Sequence, residues 1–155
     1  MYKNTKMKGL LLISVFIFIG CAGLNIAYWD IGQDFSSIIP LEYYKKNYNK
    51  MFDAAIQSGV KEGFNVAYQD KQNGLISLEK LKGSGTCDAD GWHIQIQFGK
   101  VDGYKAWDIK TKTMRKAGID DKGYVLTGKT ICTPVIGLDH SISRIENAIL
   151  KVSDQ

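Results

Sequence analysis

Two hydrophobic periods run along this chain, and where one gives way to the other an element ends. Between Leu41 and Glu62 the apolar positions Tyr44, Tyr48, Met51, Phe52, Ala55, Ile56 and Val60 recur three and four residues apart, while Lys45, Lys46, Asn49, Lys50, Asp53 and Gln57 take the other side. This is the stripe of an amphipathic helix, and Gly63 is placed to stop it. Ile142, Ile145, Ile149 and Val152 form a second stripe. Its start is expected after Asp139 or Ser141, or one turn later if Ser143 and Glu146 act as a capping box.

Between the helices the period drops to two. Residues 64–70 and 75–81 are short runs joined by KQNG, and Asn73-Gly74 predicts a tight hairpin turn. Residues 83–91 are rich in turn formers and read as a loop. Trp92, Ile94, Ile96 and Phe98 then alternate with His93, Gln95 and Gln97, the pattern of a half-buried antiparallel strand. A turn over 101–104 leads into Trp107, Ile109, Thr111 and Thr113, expected as the return strand of a second hairpin. Another turn at 120–123 precedes a strand over 124–132, and Phe35 to Ile39 is expected to be a short edge strand ending at Pro40. The expected architecture is α+β, with two helices on one face of a four- to five-stranded antiparallel sheet.

The N-terminus carries a different signal. Lys3, Lys6 and Lys8 precede GLLLISVFIFIG over residues 9–20. Twelve helical residues span only about 18 Å, short of a bilayer core of roughly 30 Å, so the run reads as a signal peptide over 1–20. Phe18, Ile19, Gly20 and Cys21 resemble the lipobox of bacterial lipoproteins, although Phe18 stands where that family usually has an aliphatic residue. The resemblance implies lipidation of Cys21, and so membrane lipid as a partner. Two other readings of the segment stand beside it: an uncleaved anchor over residues 9–29, and an ordinary signal with a bystander cysteine. Residues 21–39 read as a lipidated start and tether, and residues 40–155 as the domain.

Cleavage would change the charge. Three of the 20 basic residues and none of the 16 acidic ones precede Cys21, leaving 17 against 16. A nearly neutral mature chain gives no electrostatic case for nucleic acid as a partner. Cys87 and Cys132 remain, and an even pair in an exported chain suggests a disulfide, the alternative being one buried and one exposed thiol.

A family resemblance is carried by YNKMFDAAI over 48–56, Gly63-Phe64, DKQNGLIS over 70–77 and GLDHSISRIENAI over 137–149. These look like a widespread set of small, uncharacterised bacterial lipoproteins. More distantly the order of elements resembles domains of the lipoprotein accessory subunit of the outer-membrane β-barrel assembly machine. The resemblance implies a helix-on-sheet module for contacts with an envelope protein partner, and brings no catalytic residue with it.

Motifs with chemistry are few. GYVLTGKT over 123–130 fits the phosphate-loop expression, but that chemistry needs a strand before it and a helix after it, and Pro134 follows too closely, so no nucleotide is expected. Asp88, Asp90 and Gly91 form a fragment of a calcium loop without its closing Glu, which favours an Asx turn. His93 and His140 are the only histidines and their spacing suits no metal; catalysis would require one to find a nucleophile in space. Ser84 lacks the surroundings of a nucleophile elbow. No catalytic residue, metal or cofactor is expected. Aromatics make up 11% of the chain, and Tyr44, Tyr48, Trp92, Tyr104 and Trp107 are candidates for ligand or partner contact, with Tyr44 and Tyr48 equally suited to the helix–sheet layer. The expected function is a lipid-anchored envelope protein making protein contacts. A small apolar or glycan ligand in a pocket of Trp92, Trp107 and Tyr104 is the alternative, and a hydrolase the third. Ala22 lacks the inner-membrane retention signal of an Asp, which favours the outer membrane, facing the periplasm, in a cell with two membranes.

Overall fold

A computed structural model describes residues 28–30, 35–81, 91–131, 138–153 and 155. The elements are β1 (Tyr28–Asp30), β2 (Phe35–Ile39), α1 (Leu41–Lys61), β3 (Asn65–Asp70), β4 (Leu75–Leu81), β5 (Gly91–Lys100), β6 (Lys105–Asp108), β7 (Thr113–Lys116), β8 (Lys122–Ile131) and α2 (Leu138–Ser153). Both helices and the 75–81, 92–98 and 124–131 strands lie where their periods placed them. α1 ends as expected: Gly63, at φ 83°, donates its amide to the Val60 carbonyl. α2 begins at Leu138, a few residues ahead of the expected start.

The fold is α+β, but the sheet is larger than four or five strands and it is mixed. Seven strands follow the order β3–β4–β5–β8–β2–β6–β7, and β1 pairs with the far end of β8, Tyr28 opposite Ile131. Every pair is antiparallel except β2 with β6, where Ser37 meets Trp107. A parallel pair needs a long crossover, here everything from α1 to β5, and local sequence patterns do not show such a link.

Two local expectations are corrected. Phe35–Ile39 is an interior strand, paired to β8 on one side and β6 on the other, with Ser36, Ser37, Ile38 and Ile39 all buried. Pro40 does no harm because it lies one residue past the last pair, so the sheet takes in residues assigned to the tether. The second hairpin is β6–β7, not a return of β5: Lys110 and Thr111 donate their amides to Asp108 Oδ1 at 2.9 and 3.1 Å, folding 109–112 into a turn. β5 instead pairs along ten residues with β8, which continues its alternating face far longer than four-residue β6 could.

The core follows from that alternation. Ile76 and Leu78 of β4, Trp92, Ile94, Ile96 and Phe98 of β5, and Tyr124 and Leu126 of β8 form one buried cluster with Met51, Phe52 and Ala55 of α1 and Leu138, Ile142, Ile145 and Ile149 of α2. The four β5 side chains alone contribute on the order of 10 kcal/mol of apolar burial. A second cluster of Ile38, Val101, Ala106, Ala117 and Val125 closes the other face near β2 and β6. Beyond it, Ser77, Gln95, His93 and Gln97 leave that face polar and partly open. Glu62 ties the helices together, accepting from Arg144 at 2.9 and 3.1 Å and from Ser141 at 3.3 Å.

Candidate functional site

The aromatic candidates do not converge. Tyr44 and Tyr48 belong to a chain of ring contacts through Phe52 and Phe98 to Tyr124, with centroid separations of 5.6 to 6.1 Å. Burial raises the Tyr44 phenol to about 12, with Tyr48 adding to it. Both tyrosines therefore line the helix–sheet layer. Trp92 stacks near Phe64, 6.4 Å between centroids, at the other end of β5, and is 6% exposed. Tyr104 precedes β6 and Trp107 lies within it, each 40% exposed. Trp92, Tyr104 and Trp107 thus form no shared pocket.

A cavity of about 640 Å³ lies elsewhere, where β2 runs into α1. Its floor is Ile38, Ile39 and Pro40, and its rim carries Glu42, Lys45, Lys110, Asp120 and Lys122. One wall is an ion network: Arg115 Nε bonds Asp108 Oδ2 at 2.6 Å, and its terminal nitrogens bond Asp121 at 2.7 and 3.0 Å. Burial pushes the Asp108 carboxyl up, but the Arg115 bond and the amides of Thr111 and Lys110 outweigh it and hold the group below the usual range. Asp121 is lowered chiefly by Arg115, against a smaller opposing effect of burial. With Arg115 committed to two carboxylates, the wall serves the loop before β8 more directly than a ligand.

His93 has found a nucleophile in space. Ser77 of β4 lies beside it on the open face, Oγ 2.8 Å from Nε2. That pair can exchange a proton, but acyl transfer also needs donors for an oxyanion. Ser77 sits mid-strand between β3 and β5, opposite Tyr68 and Gln95, so the neighbouring amides lie within the ladders. His140 is exposed on the first turn of α2. Among the described residues, no three His, Cys, Asp or Glu side chains gather to hold a metal. Residues 123–130 are antiparallel strand paired to β5, so the phosphate-loop expression opens no helix.

Cys21, Cys87 and Cys132 lie outside the described residues, as do Ser84, Asp88 and Asp90. Among the described residues, no helix is long and apolar enough to cross a membrane.

The surface feature that periodicity missed is at the sheet edges. On β3, Val66 and Tyr68 are 36% and 51% exposed; on the β6–β7 ribbon, Trp107 and Met114 are 40% and 50% exposed. The alternation of each strand was visible in sequence, but not which strands would end as edges, because strand order is set by non-local pairing. Compared with family models and with curated proteins, the chain matches none of either.

Proposed function

We propose that the chain is a lipid-anchored envelope protein, held through Cys21, whose α+β domain acts by protein contact and not by catalysis. The supporting observation is that Val66 and Tyr68, two of its exposed large apolar side chains, stand on β3, which ends the sheet and pairs only with β4. An edge strand presents unpaired backbone groups and can accept an extended segment of a partner. The register shift between Val66 and Tyr68 restricts which segments fit, since a bulge interrupts a plain ladder.

Metabolic lipid labelling of the protein and of Cys21→Ser tests the anchor, with label expected on the first alone. Co-purification from native membranes, repeated with Tyr68→Arg, tests the contact. A partner lost in Tyr68→Arg at unchanged thermal stability supports the reading, and a partner set indifferent to Tyr68 overturns it.

A second reading replaces the apolar or glycan ligand expected at Trp92, Tyr104 and Trp107 with a small polar molecule in the cavity beside α1, and it rests on that cavity's apolar floor and charged rim. The resemblance to accessory lipoproteins of the barrel assembly machine favours the contact reading.

A further inference from the structure

The β6–β7 ribbon sorts its side chains sharply by face. Lys105 stands opposite Lys116, and Trp107 opposite Met114. Cross-strand partners two residues apart along a strand share a face, so these four side chains form one block. All four are exposed. The reverse face holds buried Ala106 and Asp108, with Arg115 drawn onto Asp108 and Asp121. Lys110 and Lys112 at the ribbon tip are exposed as well, and among the described residues none of the four lysines forms an ion pair.

Such a block is costly in an isolated domain. Like charges directly opposite each other destabilise a strand pair, and the Trp–Met pair beside them leaves apolar surface in water. Both costs are relieved by one kind of surface, which is negatively charged and apolar just beneath.

We propose that this ribbon face docks on an anionic lipid bilayer, Trp107 and Met114 entering the headgroup layer while Lys105, Lys116 and Lys112 meet lipid phosphates. The kind of cation decides between lipid and protein. Protein interfaces favour Arg and are depleted in Lys, whereas clustered lysines are the usual attraction to anionic membranes, and Trp prefers the membrane–water boundary. Here the ribbon's single Arg lies on the reverse face, paired with Asp108 and Asp121, and the lysines are left unpaired among the described residues. The inference goes beyond the contact reading and does not require lipid on Cys21. β7 and β3 are the two end strands of the seven-strand path, so the ribbon face and the Tyr68 edge are separate surfaces.

The test places the full chain in vesicles of phosphatidylcholine, alone or mixed with phosphatidylglycerol, with brominated acyl chains as quenchers. Subtracting the signal of Trp107→Phe isolates Trp107 from Trp29 and Trp92. Quenching of Trp107 is expected on the anionic vesicles, with release as salt is raised. Lys105→Glu/Lys116→Glu keeps a like-charge pair at the same positions, so its circular dichroism should be unchanged. At about fivefold per lysine, its ratio of docked to free ribbon should fall at least about 25-fold. Equal quenching on phosphatidylcholine alone, or undiminished quenching in the double variant, overturns the proposal. So does shielding of Trp107 from aqueous acrylamide that arises only in native membranes and not in pure lipid, which assigns the ribbon to a protein partner.

Discussion

The Tyr124 hydroxyl on β8 donates to Glu146 Oε1 on α2 over 3.3 Å, joining sheet to helix through two ionisable groups at the edge of the apolar layer. Burial raises the Glu146 carboxyl above its usual range, against a smaller opposing effect of the Tyr124 bond. Burial likewise raises Tyr124, and Glu146 raises it further.

A raised carboxyl pKa makes ionisation unfavourable in the folded state. Stability from this group is therefore full below the unfolded value, about pH 4.3, and declines as pH rises through the folded value. Glu146→Gln should match the parent in urea unfolding at acid pH and become progressively the more stable of the two toward neutrality. Curves that stay parallel across that interval would exclude this coupling.

Asp108 behaves with the opposite sign. Its lowered pKa contributes stability above the unfolded value, about pH 3.9, which is lost as pH falls through the lower folded value. Asp108→Asn keeps an acceptor for the Lys110 and Thr111 amides but loses the charge-assisted bond to Arg115. A loss of about 2 kcal/mol is expected at neutral pH, shrinking in acid, measured by denaturant midpoints.

Gly123 sits where β8 crosses β2, and a Cβ there would lie 1.8 Å from the Ser37 carbonyl oxygen. Backbone cannot rotate away as a side chain can. Gly123→Ala should therefore cost about 3 kcal/mol or more, read as a fall in melting temperature.

The Lys105–Lys116 repulsion has a signature in the folded domain alone. Lys105→Glu turns a repulsive cross-strand pair into an attractive one and should stabilise the domain by about 0.5 kcal/mol. The gain should vanish at high salt and should be absent in Lys105→Glu/Lys116→Glu.

The even pair Cys87 and Cys132 suggests a disulfide that would close a loop of about 45 residues. Alkylation in denaturant without reductant should label neither cysteine, and reduction should cost about 3 to 4 kcal/mol for a loop of this length.

Periodicity alone determined both helices and most of the strand segments, since a side chain's face depends only on its neighbours a few residues away. The 41–61 helix and the Trp92–Phe98 alternation are cases in point. The lipobox reading at Cys21 likewise comes from adjacent residues. Strand order did not follow from such patterns. Phe35–Ile39 looked like an edge and became an interior strand, because β6 adds to it from across the chain in parallel. The same non-local pairing left Tyr68 and Met114 on opposite edges, brought Ser77 within reach of His93, and separated Trp92 from Tyr104 and Trp107. A strand's own alternation fixes which side chains share a face, but only its neighbours in the sheet decide whether that face is covered.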